Sequence, residues 1–150
     1  QAFADVIAAC AAPRPYADDT WITAEIQAGY TALHKLGWAQ SIEVWREDVL
    51  VGGLYGVTVG GIFCGESMFS RCRDASKLAF WALMSLSRAW QVELVDCQLE
   101  NDHLLSLGAT IMSRNDYLAL LAQQPETPTL PWSQAHSTLA ANGFAVAEAL

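Results

Sequence analysis

Residues 51–71, VGGLYGVTVGGIFCGESMFSR, alternate small and large apolar residues at strand spacing and carry glycine at 52, 53, 56, 60, 61 and 65. Glycine weakens a strand interior, so this density marks a bulge, a hairpin turn or another chain close to the backbone. Gly60-Gly61 is the expected turn, because two-residue hairpin loops need positive φ and glycine adopts it without steric cost. Strands are predicted at about 49–59 and 61–66, with Glu66 emerging where the second one breaks.

Working outward, Ala39–Arg46 alternates as a strand, and Glu47-Asp48 forms a tight acidic turn into the hairpin. Upstream, Phe3, Val6, Ile7 and Cys10 share one helical face, which Pro13 and Pro15 end. Residues 14–19 read as loop. Thr23 is the expected N-cap of a helix to about Leu36, with Glu25 in its first turn, Gly37 past its end and Ile26, Tyr30 and Leu33 on its apolar face. Downstream, Asp74 is expected to cap a helix over Ala75–Trp90 whose face of Leu78, Trp81, Ala82, Ser85 and Leu86 packs on the sheet. Val92–Cys97 reads as a short strand, Asn101–Leu107 as a short helix, Thr110–Met112 as a last strand, and Ser113 as the cap of a helix over Asn115–Gln123. Strands alternating with helices around a central hairpin predict an α/β (α+β) chain with a mixed, largely antiparallel sheet covered on both faces. Beyond Gln124, prolines at 125, 128 and 131 make a linker, and Ser133–Leu150 is an alanine-rich tail, docked or frayed. The expected division is thus a catalytic domain over 1–124 and a linker with tail over 125–150.

A chain of 150 residues suits one domain, and 53% apolar residues suffice for a substantial core. No segment reaches the roughly 18 unbroken apolar residues of a membrane span. The start at Gln1, without a basic leader, reads as an internal piece. Cysteines at 10, 64, 72 and 97 lack paired CxxC spacing, which fits reduced thiols in a cytoplasm. The formal net charge of -8 has the wrong sign for gripping nucleic-acid phosphates, and Arg71, Arg73 and Lys77 form the one local basic cluster. His34, His103 and His136 are far apart with no ligand-spaced partners, so no metal is expected. Ser67, Ser70 and Ser106 lack a G-x-S-x-G elbow, and neither Cys64 nor Cys97 has a nearby histidine in sequence.

Several runs fall in a recognisable order: Thr20-Trp21-Ile22-Thr23, Leu33-His34, Ser41-Ile42-Glu43-Val44-Trp45, GGLYGV, FCGESMFSR, Asp74 to Lys77, Asp96-Cys97-Gln98, and His103-Leu104 with Ser106 to Ala109. Together they resemble the leucyl/phenylalanyl-tRNA protein transferases, over about residues 3–121 and without gaps. The resemblance implies a GNAT-like fold and transfer of Leu or Phe from aminoacyl-tRNA to a protein's N-terminal Arg or Lys. With a net charge of -8 the chain either touches only the aminoacyl end of the tRNA or leaves the tRNA body to another segment; the resemblance implies the second, with a basic segment just upstream of Gln1. The chain lacks the Q/R-x-x-G-x-G/A loop of coenzyme A enzymes, so no cofactor is expected, and a cytoplasmic monomer is the expected state.

Asp96 and Gln98, two apart on a strand, are expected on one face with Val95 and Cys97 on the other. A carboxylate beside a carboxamide can hold an amine and pass on its proton; it can equally be a satisfied polar pair at a strand end. The resemblance marks Asp-Cys-Gln as the catalytic element, implying that Gln98 positions the amine while Asp96 orients Gln98. Alternatively Asp96 binds the acceptor's cation and the ribose hydroxyl of the tRNA takes the proton. Little acid or base strength is required: an α-amino group is already roughly 10 to 17% neutral at pH 7, and holding amine and ester together supplies most of the rate. Glu66 suits a cationic N-terminal residue, or a surface salt bridge with Arg71 or Arg73. The resemblance also implies a donor side-chain pocket of Leu54, Phe63, Met68 and Val95, where methionine suits varied shapes. Such a pocket separates ligands one methylene apart by only about 1 to 3 kcal/mol. Trp21, Ser67 and His103 are candidates for contact with the tRNA end; Trp21 otherwise packs under a helix end and His103 otherwise caps a helix. The rival readings are a GNAT-like N-acyltransferase with another activated donor, and a non-catalytic domain that binds basic N-termini.

Overall fold

A computed structural model describes residues 2–13 and 20–146. The loop expected over 14–19, Pro15 included, lies outside the described residues. Four strands, β1 (Ala39–Arg46), β2 (Val49–Val59), β3 (Ile62–Ser70) and β4 (Leu94–Asp96), form one sheet in the order β1-β2-β3-β4. The first two pairs run antiparallel, while β4 returns parallel to β3 after the helix α3 (Ala75–Trp90). This is the mixed, largely antiparallel sheet that the strand and helix order predicted. The Gly60-Gly61 turn has the expected positive φ at Gly60 but not at Gly61, and the Glu47-Asp48 turn has positive φ at both residues.

Each face of the sheet has its own core. On one, α1 (Phe3–Ala11) and α2 (Ala24–Lys35) bury Phe3, Val6, Ile7 and Cys10 against Ala39, Leu50, Tyr55 and Phe69. Ile26, Tyr30 and Leu33 pack against the same cluster, as their spacing implied. Thr23 caps α2 by accepting from the Ile26 N–H, and Gly37, at φ +83°, ends it. His34 is structural: it stacks on Phe3 at 4.4 Å, and its Nδ1–H donates to the Ala39 carbonyl at 2.7 Å. On the other face, α3 buries Ala75, Ala79, Ala82, Leu83 and Leu86 against Ile42, Leu54 and Phe63.

Four local expectations are corrected. First, β3 does not stop at 66. Tyr55 pairs with Ser67 and Gly56 with Gly65, so Glu66 is the extra residue of a bulge and the strand runs on to Ser70. Second, the buried face of α3 is displaced from the expected one: Leu78 and Trp81 are 41% and 65% exposed. Small residues take their place because the helix start lies so close to β2 that a Cβ on Gly52 would come within 2.5 Å of Ala75 Cβ. Third, Asp74 precedes α3 but makes no cap; at φ +63° its carboxylate turns to Lys77 Nζ (2.8 Å) and Arg73 Nε (3.4 Å). Fourth, Thr110–Met112 is not a strand, and Ile111 is 75% exposed with no neighbouring strand to pair it.

The short helices α4 (Asp102–Ser106) and α5 (Arg114–Leu121) carry side-chain caps from Asn101 and Ser113. After the prolines, a 3-10 turn (Trp132–Gln134) and α6 (Ala135–Ala141) pack on α3 and the sheet. Trp132 lies 5.5 Å from Phe63 and donates its indole N–H to the buried Thr58 hydroxyl at 2.9 Å. Among the described residues no helix is long and apolar enough to cross a membrane.

Candidate active site

A cavity of about 1110 Å³ opens where β4 parts from β3. The ladder between them ends at the pair Cys64 and Asp96. Two residues beyond Asp96, the Gln98 side chain takes over: its Nε2 donates to the Gly65 carbonyl at 3.0 Å, next to the Glu66 bulge. Nε2 is thereby engaged, which leaves the amide oxygen as the group's acceptor. The residue stands at φ +65°, and its backbone N–H donates to Asp96 Oδ1 at 2.8 Å.

The wall of the cavity has two characters. Leu54, Phe63, Met68 and Val95, the four residues expected to accept an apolar side chain, all line it, with Phe80 and Leu83 of α3 behind them. Glu66, Ser67, Trp21, His103 and Gln98 line it as well. Leu54 and Phe63 are buried, whereas Trp21 is 52% exposed at the mouth. Among the described residues Glu66 forms no ion pair, so the surface salt bridge weighed for it is not made; Arg73 joins Asp74 instead.

Asp96 departs from expectation. It does not share a face with Gln98 or line the cavity; its carboxylate lies by the Tyr117 hydroxyl of α5 and the Cys64 thiol. The period-2 rule fails here because β4 ends at Asp96 and the left-handed turn at Gln98 swings the next side chain round. Val95 and Cys97 do share a face, and both line the cavity.

The chain agrees over residues 1–122 with the family model described as leucyl/phenylalanyl-tRNA protein transferase. The chain belongs to that family. Relatives named leucyl/phenylalanyl-tRNA--protein transferase include one from Pseudomonas fluorescens (strain SBW25), 55% identical over 133 residues, which are 88% of this chain and 59% of the relative. Another, from Tolumonas auensis, is 52% identical over 125 residues, 83% of this chain and 53% of the relative. A third, from Cellvibrio japonicus, is 47% identical over 135 residues, 88% and 57% of the two chains. This chain therefore spans a little over half the length of these family members.

Three tyrosines escaped the sequence reading as parts of this family member's site. Burial first, then the nearby Glu66 carboxylate, pushes the pKa of Tyr30 up to about 12. Tyr117 is likewise raised to about 12, by burial and then by Cys64 and Asp96. Tyr55 is wholly buried, lines the cavity, and is raised further still by burial. Tyr30 was visible only as one member of an apolar helix face, and Tyr55 only as the large residue in GGLYGV. A thiol nucleophile finds no support: burial, then Asp96, raises the pKa of both Cys64 and Cys97, which keeps the thiols protonated. No cluster of metal-ligating side chains is found among the described residues.

Proposed function

We propose that this chain is the catalytic part of an aminoacyltransferase. It moves Leu or Phe from aminoacyl-tRNA to the α-amino group of a protein's N-terminal Arg or Lys and so creates a degradation signal. The observation that carries the reading is the two-sided cavity, where an apolar wall of Leu54, Phe63, Met68 and Val95 meets Glu66 and Gln98. The apolar wall suits the donor's side chain, and Glu66 suits the acceptor's cation. The amide oxygen of Gln98 accepts from the N–H of the attacking neutral amine and holds it against the ester carbon. Trp21, Ser67 and His103 stand where the tRNA end would enter. Asp96 acts through the backbone of Gln98, holding its left-handed turn, rather than on either substrate. The reaction breaks the ester C–O bond, forms the C–N bond and returns one proton to the departing ribose oxygen. It needs no cofactor. A cytoplasmic monomer is the proposed working state, with tRNA-body contacts supplied outside these 150 residues.

The test is transfer from Leu-tRNA to an Arg-led peptide, by this chain and by the chain joined to a relative's remaining N-terminal sequence. Transfer by the joined form, lost in Gln98→Ala while Arg-led peptide still binds, supports the proposal. A joined form that folds and transfers nothing refutes it, and acetyl-coenzyme A serving as donor instead would favour a GNAT-like acyltransferase.

A further inference from the structure

A second hollow lies beside the first, between the β1–β2 hairpin and the start of α3. It is an open groove of about 650 Å³ whose walls include Val44, Arg46, Arg73, Lys77, Leu78 and Trp81. Three of the chain's eight Lys and Arg residues line it, against one of its sixteen Asp and Glu, Asp74, so its local charge is opposite in sign to the net charge of -8. Asp74 pairs with both Arg73 and Lys77, and among the described residues Arg46 forms no ion pair, which leaves positive charge in surplus. Between these cations Trp81 is 65% exposed. Phe144 meets its ring at 5.1 Å and a tilt of 59°, bracing the indole while most of it stays open. An exposed indole flanked by cations is the combination that binds single-stranded nucleic acid, with phosphates on the cations and a base on the ring.

The groove is joined to the cavity. Arg71 and Ser76 line the cavity, while Cys72, Arg73 and Lys77, beside them in the chain, line the groove. From Ser76 to Trp81 is about 7.5 Å along the axis of α3, the length of about two stacked nucleotides at about 3.4 Å each. We propose that the groove holds the unpaired nucleotides that precede the aminoacylated one, with a base stacked on Trp81 and backbone phosphates on Arg46, Arg73 and Lys77. The proposal rests on the aminoacyl-tRNA reading above and extends it: the cavity takes the amino acid and the last ribose, and the groove takes the strand behind them. Every base has a π-face, so stacking on Trp81 accepts them all. The groove thus adds affinity without choosing among tRNAs, and the choice of amino acid stays with the apolar wall of the cavity. A duplex hides its base faces and would leave the indole unused, which is why the occupant is a single strand.

The test compares two non-hydrolysable probes by calorimetry at low salt. One is leucylamido-adenosine, which reaches only the cavity; the other is a single-stranded tetranucleotide ending in the same group. The tetranucleotide is expected to bind at least about tenfold more tightly, the worth of one stacked base. Trp81→Ala should remove that gain. Arg46→Gln should lower the slope of log affinity against log salt for the tetranucleotide by about 0.7, one phosphate contact on a single strand. Both side chains are exposed, so both variants should keep the parent's thermal midpoint and its affinity for the short probe. Failure of both probes to bind overturns the donor reading and this proposal with it. A short probe that binds as tightly as the long one overturns the proposal alone. So does a gain that survives Trp81→Ala, and so does a dimer in sedimentation that Trp81→Ala returns to a monomer, which would assign the indole to self-association.

Discussion

Gln98 makes two bonds that hold its backbone and its side chain separately. The backbone N–H is tied to Asp96 Oδ1 and the amide nitrogen to the Gly65 carbonyl, so the amide oxygen has a defined place beside the bulge. This arrangement makes different predictions from one in which Asp96 meets the acceptor's cation directly. Asp96→Asn keeps an oxygen for the Gln98 N–H and should retain transfer within about threefold, with the acceptor KM unmoved. Asp96→Ala removes the tie, and a displacement of the amide by an ångström costs about 100-fold in kcat. Steady-state transfer kinetics with an Arg-led peptide decide the matter: an acceptor KM raised strongly by Asp96→Asn would put the carboxylate on the cation after all. Spacing alone placed Asp96 with Gln98 because alternation was carried past the end of the strand. Nothing in the local sequence announces that β4 ends at Asp96.

At the scale of elements, the bulge and the docked tail decide the shape of the cavity. The bulge reverses the alternation of β3, so that Phe63 and Met68, an odd number of residues apart, both reach the α3 face. Without it one of the two would leave the apolar wall. The glycine-rich run pointed to an irregularity in this hairpin, but placed it as a strand break rather than as an inserted residue. The tail's role was less legible still, because weak amphipathicity over residues 133–150 says nothing of a partner. Its anchor is Trp132, which seals Phe63 from behind and satisfies the buried Thr58 hydroxyl. Trp132→Phe keeps much of the apolar contact and leaves Thr58 unpaired, which should cost about 1–3 kcal/mol in urea unfolding. Thr58→Val in the same background should recover most of that loss; a double variant as unstable as the single one would mean the hydrogen bond contributes little.

For the whole molecule, two cores on opposite faces of a four-stranded sheet share one opening, and ionisable groups sit beside it. Tyr30 and Tyr117 both have folded pKa values of about 12 against an ordinary 10.0. The folded state holds these protons more tightly than the unfolded chain, so their stabilisation is complete below about pH 10 and is lost as pH rises through about 12. Stability measured by denaturant should accordingly fall over that window. Tyr30→Phe and Tyr117→Phe should each flatten the fall, because a phenylalanine has no proton to lose. An unchanged slope in both variants would show that other groups govern alkaline unfolding.

What the sequence determined by itself was everything carried by short-range rules: the Gly60 turn, the Thr23 and Ser113 caps, the strand over 39–46, the helix over 75–90, and family membership through motifs in order. These depend on φ preferences, capping donors and periodicity within a few residues. Only the tertiary structure decided that β3 continues through an extra residue, that α3 presents alanines to the sheet, that Asp96 turns from the cavity, and that Tyr30 and Tyr117 come close to Glu66 and Asp96. Each of those depends on how closely two distant segments approach, as where Ala75 meets Gly52 or Tyr30 meets Glu66. Periodicity along one chain fixes which way a side chain points only while its ladder lasts, and the cavity lies where the ladder ends.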